Sequence, residues 1–559
     1  MALIQSTDFE DEAPDKVSKL KYGKEWPVVY IINNKNEAYV GETVNANIRT
    51  SQHLKNTERR LLSYITLISD DNFNKSVILD LEAYLIKYMS SDGKFKLQNT
   101  NMGMQYHNYY NREEYESKFN EIWQHLKEVG LAKNEIKAIE NSDIFKYSPY
   151  KELNLDQYRI IYKIIDSIKK YQIDGESFTT IVQGGAGSGK TVLAVFIMKL
   201  LSENRESLLK YSFGVDSNYE DIYESLKLLN TMKIGLVVPM QSLRCTIKKV
   251  FKNIKGLNIN MVLSPIDVPK MEYDLLIVDE AHRLRQRKAL SNYPTFDKNN
   301  TKLGFDNNGT ELHWILKCSK NQVFFYDSMQ SVKPSDVDKE QFDKLMENEN
   351  ITCYKLTSQF RCQGGNDYID YVKSIFSYSP PSRFIDFSDY DFKIFDDVEQ
   401  MIFEIKEREK KFGLCRTVAG YSWKWHTKKD NSQDTFDISI KGHQYKWNSE
   451  SKDWVNSPNA INEIGCIHTI QGYDLNYAGV ILGNEIKYDD KKQIIYVDKT
   501  QYHDTQGKSA LKNKESLFNY IMNIYTTLMT RGIKGTYVYA CDEKLNDYLS
   551  RYICKLIMK

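Results

Sequence analysis

Two rhythms of apolar positions divide the chain. Between Trp26 and about Ile122 short alternating runs come first. Val28–Ile32 and Glu37–Val40 flank Asn33-Asn34-Lys35-Asn36, a turn-forming quartet, and so predict a β-hairpin. Helical spacing follows, with Ile78, Leu79, Leu85, Ile86 and Met89 making an apolar stripe around Glu82. From Leu153 onward, β-branched runs such as Phe178–Val182 and Leu275–Val278 alternate with amphipathic stretches, which predicts an α/β fold built on parallel sheet. Polar stretches near Asp430–Ser432 and Lys487–Lys508 interrupt the alternation, and no fixed-period repeat is present. Residues 1–25 are acidic and predict a mobile tail, 26–125 a small mixed domain, and 126–150 a charged linker.

Composition narrows the class. The 559 residues are 41% hydrophobic and 27% charged, which describes an ordinary globular protein. A net charge of +1 excludes a uniformly basic nucleic-acid coat, so any phosphate-binding surface has to be local. The 8 cysteines form no CxxC pair and no zinc-spaced cluster, which fits a reducing compartment. The polar start MALIQSTDFEDEAPDK is no signal peptide, and no apolar run reaches the roughly 18 residues of a membrane helix. The expectation is a cytoplasmic protein without membrane contact.

The most specific chemistry follows the run Phe178–Val182. Gly184-Gly185-Ala186-Gly187-Ser188-Gly189-Lys190-Thr191 fits the P-loop pattern between a strand and the apolar helix Val192–Leu201. Glycines let successive N–H groups curl around phosphate oxygens, and the helix N-terminus adds its dipole. Lys190 is placed to reach the β- and γ-phosphates of ATP, and Thr191 to hold Mg²⁺. A second buried run, Leu275–Val278, ends in Asp279-Glu280-Ala281-His282. Carboxylates at the end of a buried strand are costly unless they act on a cation or a water. Asp279 is therefore a Mg²⁺ ligand and Glu280 the group that polarises the attacking water.

With these motifs the chain resembles superfamily 1 helicases over nearly all of 153–559. Gln157, in Leu155-Asp156-Gln157, stands where that superfamily contacts adenine. Val237–Leu243 is similar to its nucleic-acid backbone segment, and Tyr326–Gln330 to the γ-phosphate-sensing motif ending in Gln330. Ser358-Gln359-Phe360-Arg361 and Thr527–Gly532 resemble the motifs with two arginine fingers, Arg361 and Arg531; Ile467–Gly472 resembles the segment coupling nucleic acid to ATP. Within the superfamily, Ala419–Trp425 and Gly472–Leu475 look like signatures of bacterial P-loop ATPases related to the Schlafen helicase domain. The chain departs from the pattern at Phe325-Tyr326, which replaces a glycine, and at Tyr473-Asp474, where only Asp474 is acidic. The resemblance implies two RecA-like parallel α/β lobes, 151–348 and 349–559, the second with an aromatic and basic insertion near 420–457. Trp423, Trp425, Tyr445, Trp447 and Trp454 there, among lysines, suit either base stacking or a hairpin with its own small core.

The N-terminal region offers a second site. Tyr30 and Tyr39 lie on the two strands, with Gly41 after Tyr39; Arg49 and His53 are one helical turn apart. Glu82 is a carboxylate inside an apolar stripe, which calls for a partner such as a metal ion. In this order, with Asn99, these residues resemble the GIY-YIG nuclease family, although the first motif reads VVY. The resemblance implies that one tyrosine helps activate water, Arg49 steadies the scissile phosphate, His53 assists, Glu82 ligates Mg²⁺ or Mn²⁺, and Asn99 orders the fold. Together the two sites predict an ATP-driven nucleic-acid motor coupled to metal-dependent cleavage, with DNA favoured over RNA and defence against foreign DNA as a setting. The alternatives are a repair nuclease-helicase and an ATP-switched sensor that does not unwind.

Overall fold

In the computed structural model the described residues are 2–99, 112–149, 153–185, 187–202, 231–290, 292–328, 330, 335–356, 362–428, 432, 434–450, 453–470, 473–504 and 514–556. They fall into two compact units, one of Met1–Glu176, Thr191–Thr231 and Cys245–Val262, the other of Ser177–Lys190, Met232–Arg244 and Leu263–Lys559. Among the described residues no helix is long and apolar enough to cross a membrane.

The first unit contains a five-stranded sheet, β1 (Leu3–Asp8), β2 (Val28–Asn33), β3 (Glu37–Thr43), β4 (Tyr64–Ser69) and β5 (Lys96–Leu97), in the order β1-β4-β2-β3-β5. The expected hairpin is β2–β3, paired antiparallel from Val28 opposite Thr43 to Asn33 opposite Ala38. All six β2 residues are buried because β3 and β4 flank the strand. Helix α2 (Ala46–Leu54) follows β3, and α3 (Lys75–Asp92) packs on β2 and β3 through Val77, Ile78, Leu81, Leu85 and Ile86. The Asn74 side chain caps α3 by accepting from the Val77 N–H at 3.1 Å.

Two expectations here need correction. Residues 1–25 are not a mobile tail. β1 pairs antiparallel with β4, and helix α1 (Ala13–Ser18) follows it. The cause is an apolar set, Phe9, Ala13 and Val17, that shares one cluster with Val28 and Tyr30 and is masked in the sequence by flanking acids. Nor is 126–150 a free linker. After α4 (Arg112–Glu128), the short helices α5 (Ile136–Asn141) and α6 (Asp143–Lys146) pack on α3. Asp92 pins the entry to this segment by accepting from the Lys133 and Asn134 N–H groups at 2.9 and 2.7 Å. The unit continues into α7 (Leu155–Asp174).

The second unit holds two six-stranded sheets. β6 (Thr179–Gly184), β7 (Ile234–Val237), β8 (Val262–Leu263), β9 (Tyr273–Val278), β10 (Ser319–Tyr326) and β11 (Ile351–Leu356) are ordered β11-β6-β10-β9-β7-β8. Their β11–β6, β6–β10, β10–β9 and β9–β7 pairs are parallel. β11 places Ile351 opposite Thr179, so the first lobe runs past the expected boundary at 348; a six-residue strand completes the edge beside β6. The other sheet comprises β12 (Asp391–Ile394), β13 (Cys415–Ala419), β16 (Ile464–Cys466), β17 (Leu475–Leu482), β20 (Gly532–Ala540) and β21 (Cys554–Lys555). Its order is β16-β13-β17-β20-β12-β21, with every pair parallel. Two small hairpins, β14 (Ile438–Ile440) with β15 (His443–Tyr445) and β18 (Ile486–Asp489) with β19 (Ile494–Val497), complete the strands. Parallel sheets whose strands read as continuous apolar runs are those covered on both faces, as the sequence pattern anticipates.

Candidate active sites

Four residues of the N-terminal sheet region come together around one hydroxyl. Tyr30 Oη on β2 is 2.6 Å from His53 Nε2 on α2 and accepts from Arg49 Nε at 3.3 Å. The Tyr39 ring on β3 lies 5.1 Å from the His53 ring, centre to centre. Gly41 makes room for this hydroxyl, since a Cβ there would stand 2.3 Å from Tyr30 Oη. Burial drives the Tyr30 phenol well above its usual range; Tyr39 and Glu82 push the same way and Arg49 opposes. Tyr39 is raised also, first by burial. Burial pushes the His53 imidazole down to about 3, assisted by the Arg59 and Arg49 charges. Sequence reasoning missed Arg59, whose guanidinium lies 3.8 Å over the Tyr39 ring and 2.8 Å from His53 Nδ1.

Glu82 is half-buried on α3. Burial raises its carboxyl to about 8, Glu42 adds to the rise, and Lys75 and Arg49 oppose it. No cluster of three or more acidic, His or Cys side chains forms among the described residues. Once ionised, a single carboxylate suits a hydrated divalent ion, because Mg²⁺ keeps most of its waters and takes one or two carboxylates. Asn99, fully buried, acts as a stand-in strand: its Oδ1 accepts from the Val40 N–H at 2.9 Å, and its Nδ2 donates to Val40 O at 2.7 Å.

The second constellation sits at the C-terminal ends of the first parallel sheet. Gly187 and Gly189 take φ of +83°, which the phosphate-cradling loop between β6 and helix α8 (Lys190–Leu201) requires. Lys190 opens α8 and Thr191 follows it. The Lys190 Nζ donates to the Gly184 and Gly185 carbonyls at 2.6 and 2.8 Å and lies 3.8 Å from the Asp327 carboxylate. Asp327 accepts from Gln330 Nε2 at 2.6 Å, and Gln330 Oε1 accepts from Arg531 Nη2 at 3.4 Å. A polar relay therefore runs from the loop lysine at the end of β6 to the arginine that enters β20.

Asp279 and Glu280 follow β9. Asp279 is buried, and Glu280 adopts a left-handed backbone, φ 52° and ψ 44°. That conformation costs a non-glycine residue about 1–2 kcal/mol and clusters where function over-determines it. His282 Nε2 is 3.1 Å from the Glu280 carboxylate. Burial opposes ionisation of Glu280, yet His282, Lys190 and Arg283 together hold it well below the carboxylate range.

Gln157 serves a capping box at the start of α7: its Oε1 accepts from the Asn154 N–H at 3.1 Å, while Asn154 Oδ1 accepts from the Gln157 N–H at 2.8 Å. The Asn-x-x-Gln spacing was the signal for that role. Arg361 lies outside the described residues, as do Gln471 and Gly472. Of the five insertion aromatics, Trp447 and Trp454 are buried. Asp437 staples the insertion by accepting from the His426, Thr427 and Trp447 N–H groups at 2.6, 2.8 and 2.9 Å. The structure thus favours a local core over a stacking face at Trp447 and Trp454.

Residues 178–542 match the family model described as Schlafen group 3, DNA/RNA helicase domain. An uncharacterized protein of Saccharomyces cerevisiae is 28% identical over 404 residues, 66% of this chain and 83% of the yeast protein. Among solved structures, the arterivirus nonstructural protein 10 helicase with DNA aligns at a TM-score of 0.26 and 14% identity, over 69% of this chain and 67% of that one. The Pif1 helicase from Bacteroides with ADP-AlF3 and ssDNA aligns at 0.25 and 10%, over 69% and 92%. Both scores are too low to carry an argument about geometry.

Proposed function

From the premise that this chain belongs to the Schlafen group 3 DNA/RNA helicase-domain family, we propose that it is an ATP-driven nucleic-acid motor. We further propose that its N-terminal domain is a metal-dependent endonuclease of the GIY-YIG type acting on DNA. The observation that carries the motor reading is the relay Lys190–Asp327–Gln330–Arg531. A lysine on the phosphate loop and a buried arginine from the other sheet meet through a carboxylate and an amide, which is the arrangement a γ-phosphate needs if its loss is to be felt in both lobes.

In this reading Lys190 exchanges the carbonyls of Gly184 and Gly185 for phosphate oxygens when ATP binds. Glu280, ionised at neutral pH, orients the attacking water and accepts its proton. Arg531, with Arg361, stabilises the charge that develops on the transferred phosphoryl group. Thr191 and Asp279 hold the nucleotide's Mg²⁺, and Gln157 stays an adenine-side residue by resemblance alone.

At the N-terminal site Arg49 steadies the scissile phosphate, and Tyr30 or Tyr39 takes part in activating water. Glu82, once ionised, would hold a Mg²⁺ or Mn²⁺ ion, which would supply polarisation of the phosphoryl oxygen and stabilisation of the leaving group. We propose defence against foreign DNA as the chain's role, with DNA repair as the alternative.

The deciding experiment is cleavage of linear and circular DNA with Mg²⁺, with and without ATP, by wild type, Lys190→Ala and Glu82→Ala. Cutting by wild type and none by Glu82→Ala supports the nuclease. DNA-stimulated ATP hydrolysis with neither cutting nor strand separation overturns it in favour of an ATP-switched sensor.

A further inference from the structure

We propose that Arg59 is a positioning residue of the N-terminal site: by donating to Nδ1 of His53 it fixes the imidazole as the Nε2–H tautomer, so that His53 is a permanent neutral donor to Tyr30 and never the acceptor of its proton. The chemical consequence rests on the nuclease reading above; the tautomer itself does not.

A guanidinium has donors only. Arg59 Nη1 stands 2.8 Å from His53 Nδ1, so that nitrogen presents its lone pair. A neutral imidazole then carries its one proton on Nε2, which faces Tyr30 Oη at 2.6 Å. Tyr30 Oη receives a second N–H from Arg49 at 3.3 Å. Both lone pairs of that oxygen are engaged, and its own hydrogen is turned away from His53. Protonating the imidazole would set an Nδ1–H against the guanidinium, donor against donor.

The groups that face His53 are Tyr30 on β2, Tyr39 on β3, Arg49 on α2 and Arg59 on the short turn Arg59–Leu61. Two are cations and two are phenols, so none favours a second positive charge. Burial acts in the same direction, and the imidazole stays neutral down to about 3.

Arg59 is itself held in place. Asn56 donates its N–H to His53 O at 3.0 Å, and its Oδ1 accepts from the Arg59 N–H at 3.1 Å. The chain therefore folds back at the end of α2 and returns the guanidinium to the histidine six residues earlier. The Tyr39 face beneath the guanidinium, at 3.8 Å, fixes its plane.

A proton leaving water through Tyr30 accordingly has no route to His53. What His53 and Arg49 supply instead is two N–H bonds that stabilise Tyr30 oxygen whenever it carries negative charge.

The test uses the full chain with ¹⁵N-labelled histidine side chains, the His53 signals assigned by their loss in His53→Asn. Wild type should show a protonated Nε2 and an unprotonated Nδ1, unchanged from pH 5 to 8. In Arg59→Met, both tautomers should populate and the ring's midpoint should rise from its wild-type value, while burial and Arg49 still hold it below the ordinary range. Arg59→Gln keeps an N–H donor without the charge, so it should retain the Nε2–H form at neutral pH. A protonated Nδ1 in wild type, a wild-type titration between pH 5 and 8, or an Arg59→Met spectrum identical to wild type overturns the proposal. If the tautomers behave as stated and no DNA is cut under any condition, the nuclease reading fails and the role of Arg59 in fixing His53 stands.

Discussion

A divalent ion can be held by Glu82 only after the carboxyl gives up the proton that burial and Glu42 make it retain. With a midpoint of about 8, metal affinity becomes a function of pH across the neutral range. At pH 7 about a tenth of the sites are ionised, so the apparent affinity is about tenfold below its limit, or ~1.4 kcal/mol. It should rise about tenfold from pH 6 to 7 and level off above 8, with close to one proton released per ion at pH 7. Titration calorimetry with Mn²⁺ on the full chain without nucleotide, in two buffers of different ionisation heat, reads both quantities. Glu42→Gln removes the second cause of the shift and should move the plateau to lower pH; Glu82→Gln should abolish the isotherm. An affinity that is flat from pH 6 to 8, with the same enthalpy in both buffers, refutes the reasoning. The same group has a sign for stability. Its folded midpoint lies above the unfolded one, so its contribution is present below about 4.5 and is lost as pH rises toward about 8. Glu82→Gln should remove that alkaline loss in the absence of metal.

Three further predictions follow from single contacts. Asn99→Ala leaves the buried Val40 N–H and C=O unpaired and should cost about 2–4 kcal/mol, read as a lower unfolding temperature of the first unit; Asn99→Asp sets a carboxylate against the Val40 carbonyl and should be worse at neutral pH than at low pH. Gly41→Ala places a methyl 2.3 Å from Tyr30 Oη and should lower DNA cutting at least about tenfold, with a stability loss of about 1–3 kcal/mol; unchanged cutting would disconnect Tyr30 from the chemistry. Gln330→Ala removes the joint between Asp327 and Arg531 and should lower kcat for ATP about 10²-fold, with little change in KM, by steady-state assay; a raised KM with kcat unchanged would make Gln330 a binding residue instead.

Much of the site was legible because its logic is local. The glycines at 187 and 189 take positive φ in a loop whose strand and helix lie within a few residues, and Asp279-Glu280 directly follows an apolar strand. The hairpin β2–β3 was legible for the same reason: its turn and its two alternating runs are contiguous. Arg59 was not. It lies only six residues from His53, but the turn capped by Asn56 and the Tyr39 face that stabilise its position are set by folding, and lone arginines are common on surfaces.

The chain by itself therefore determined the order of its chemistry: a two-tyrosine hairpin, a carboxylate on an apolar stripe, a phosphate loop, an acidic pair and a late arginine. Tertiary structure alone decided which of these meet. Arg531 reaches Gln330 across 201 positions and Asn99 reaches Val40 across 59, distances at which sequence spacing carries no geometric information. Burial was decided at the same level. Phe9, Ala13 and Val17 turned an acidic start into part of a core, and Trp447 and Trp454 went inside where the sequence left a stacking face and a local core both open. In each case the outcome depends on how much apolar surface the remaining elements leave to be covered, and only the packed whole fixes that quantity.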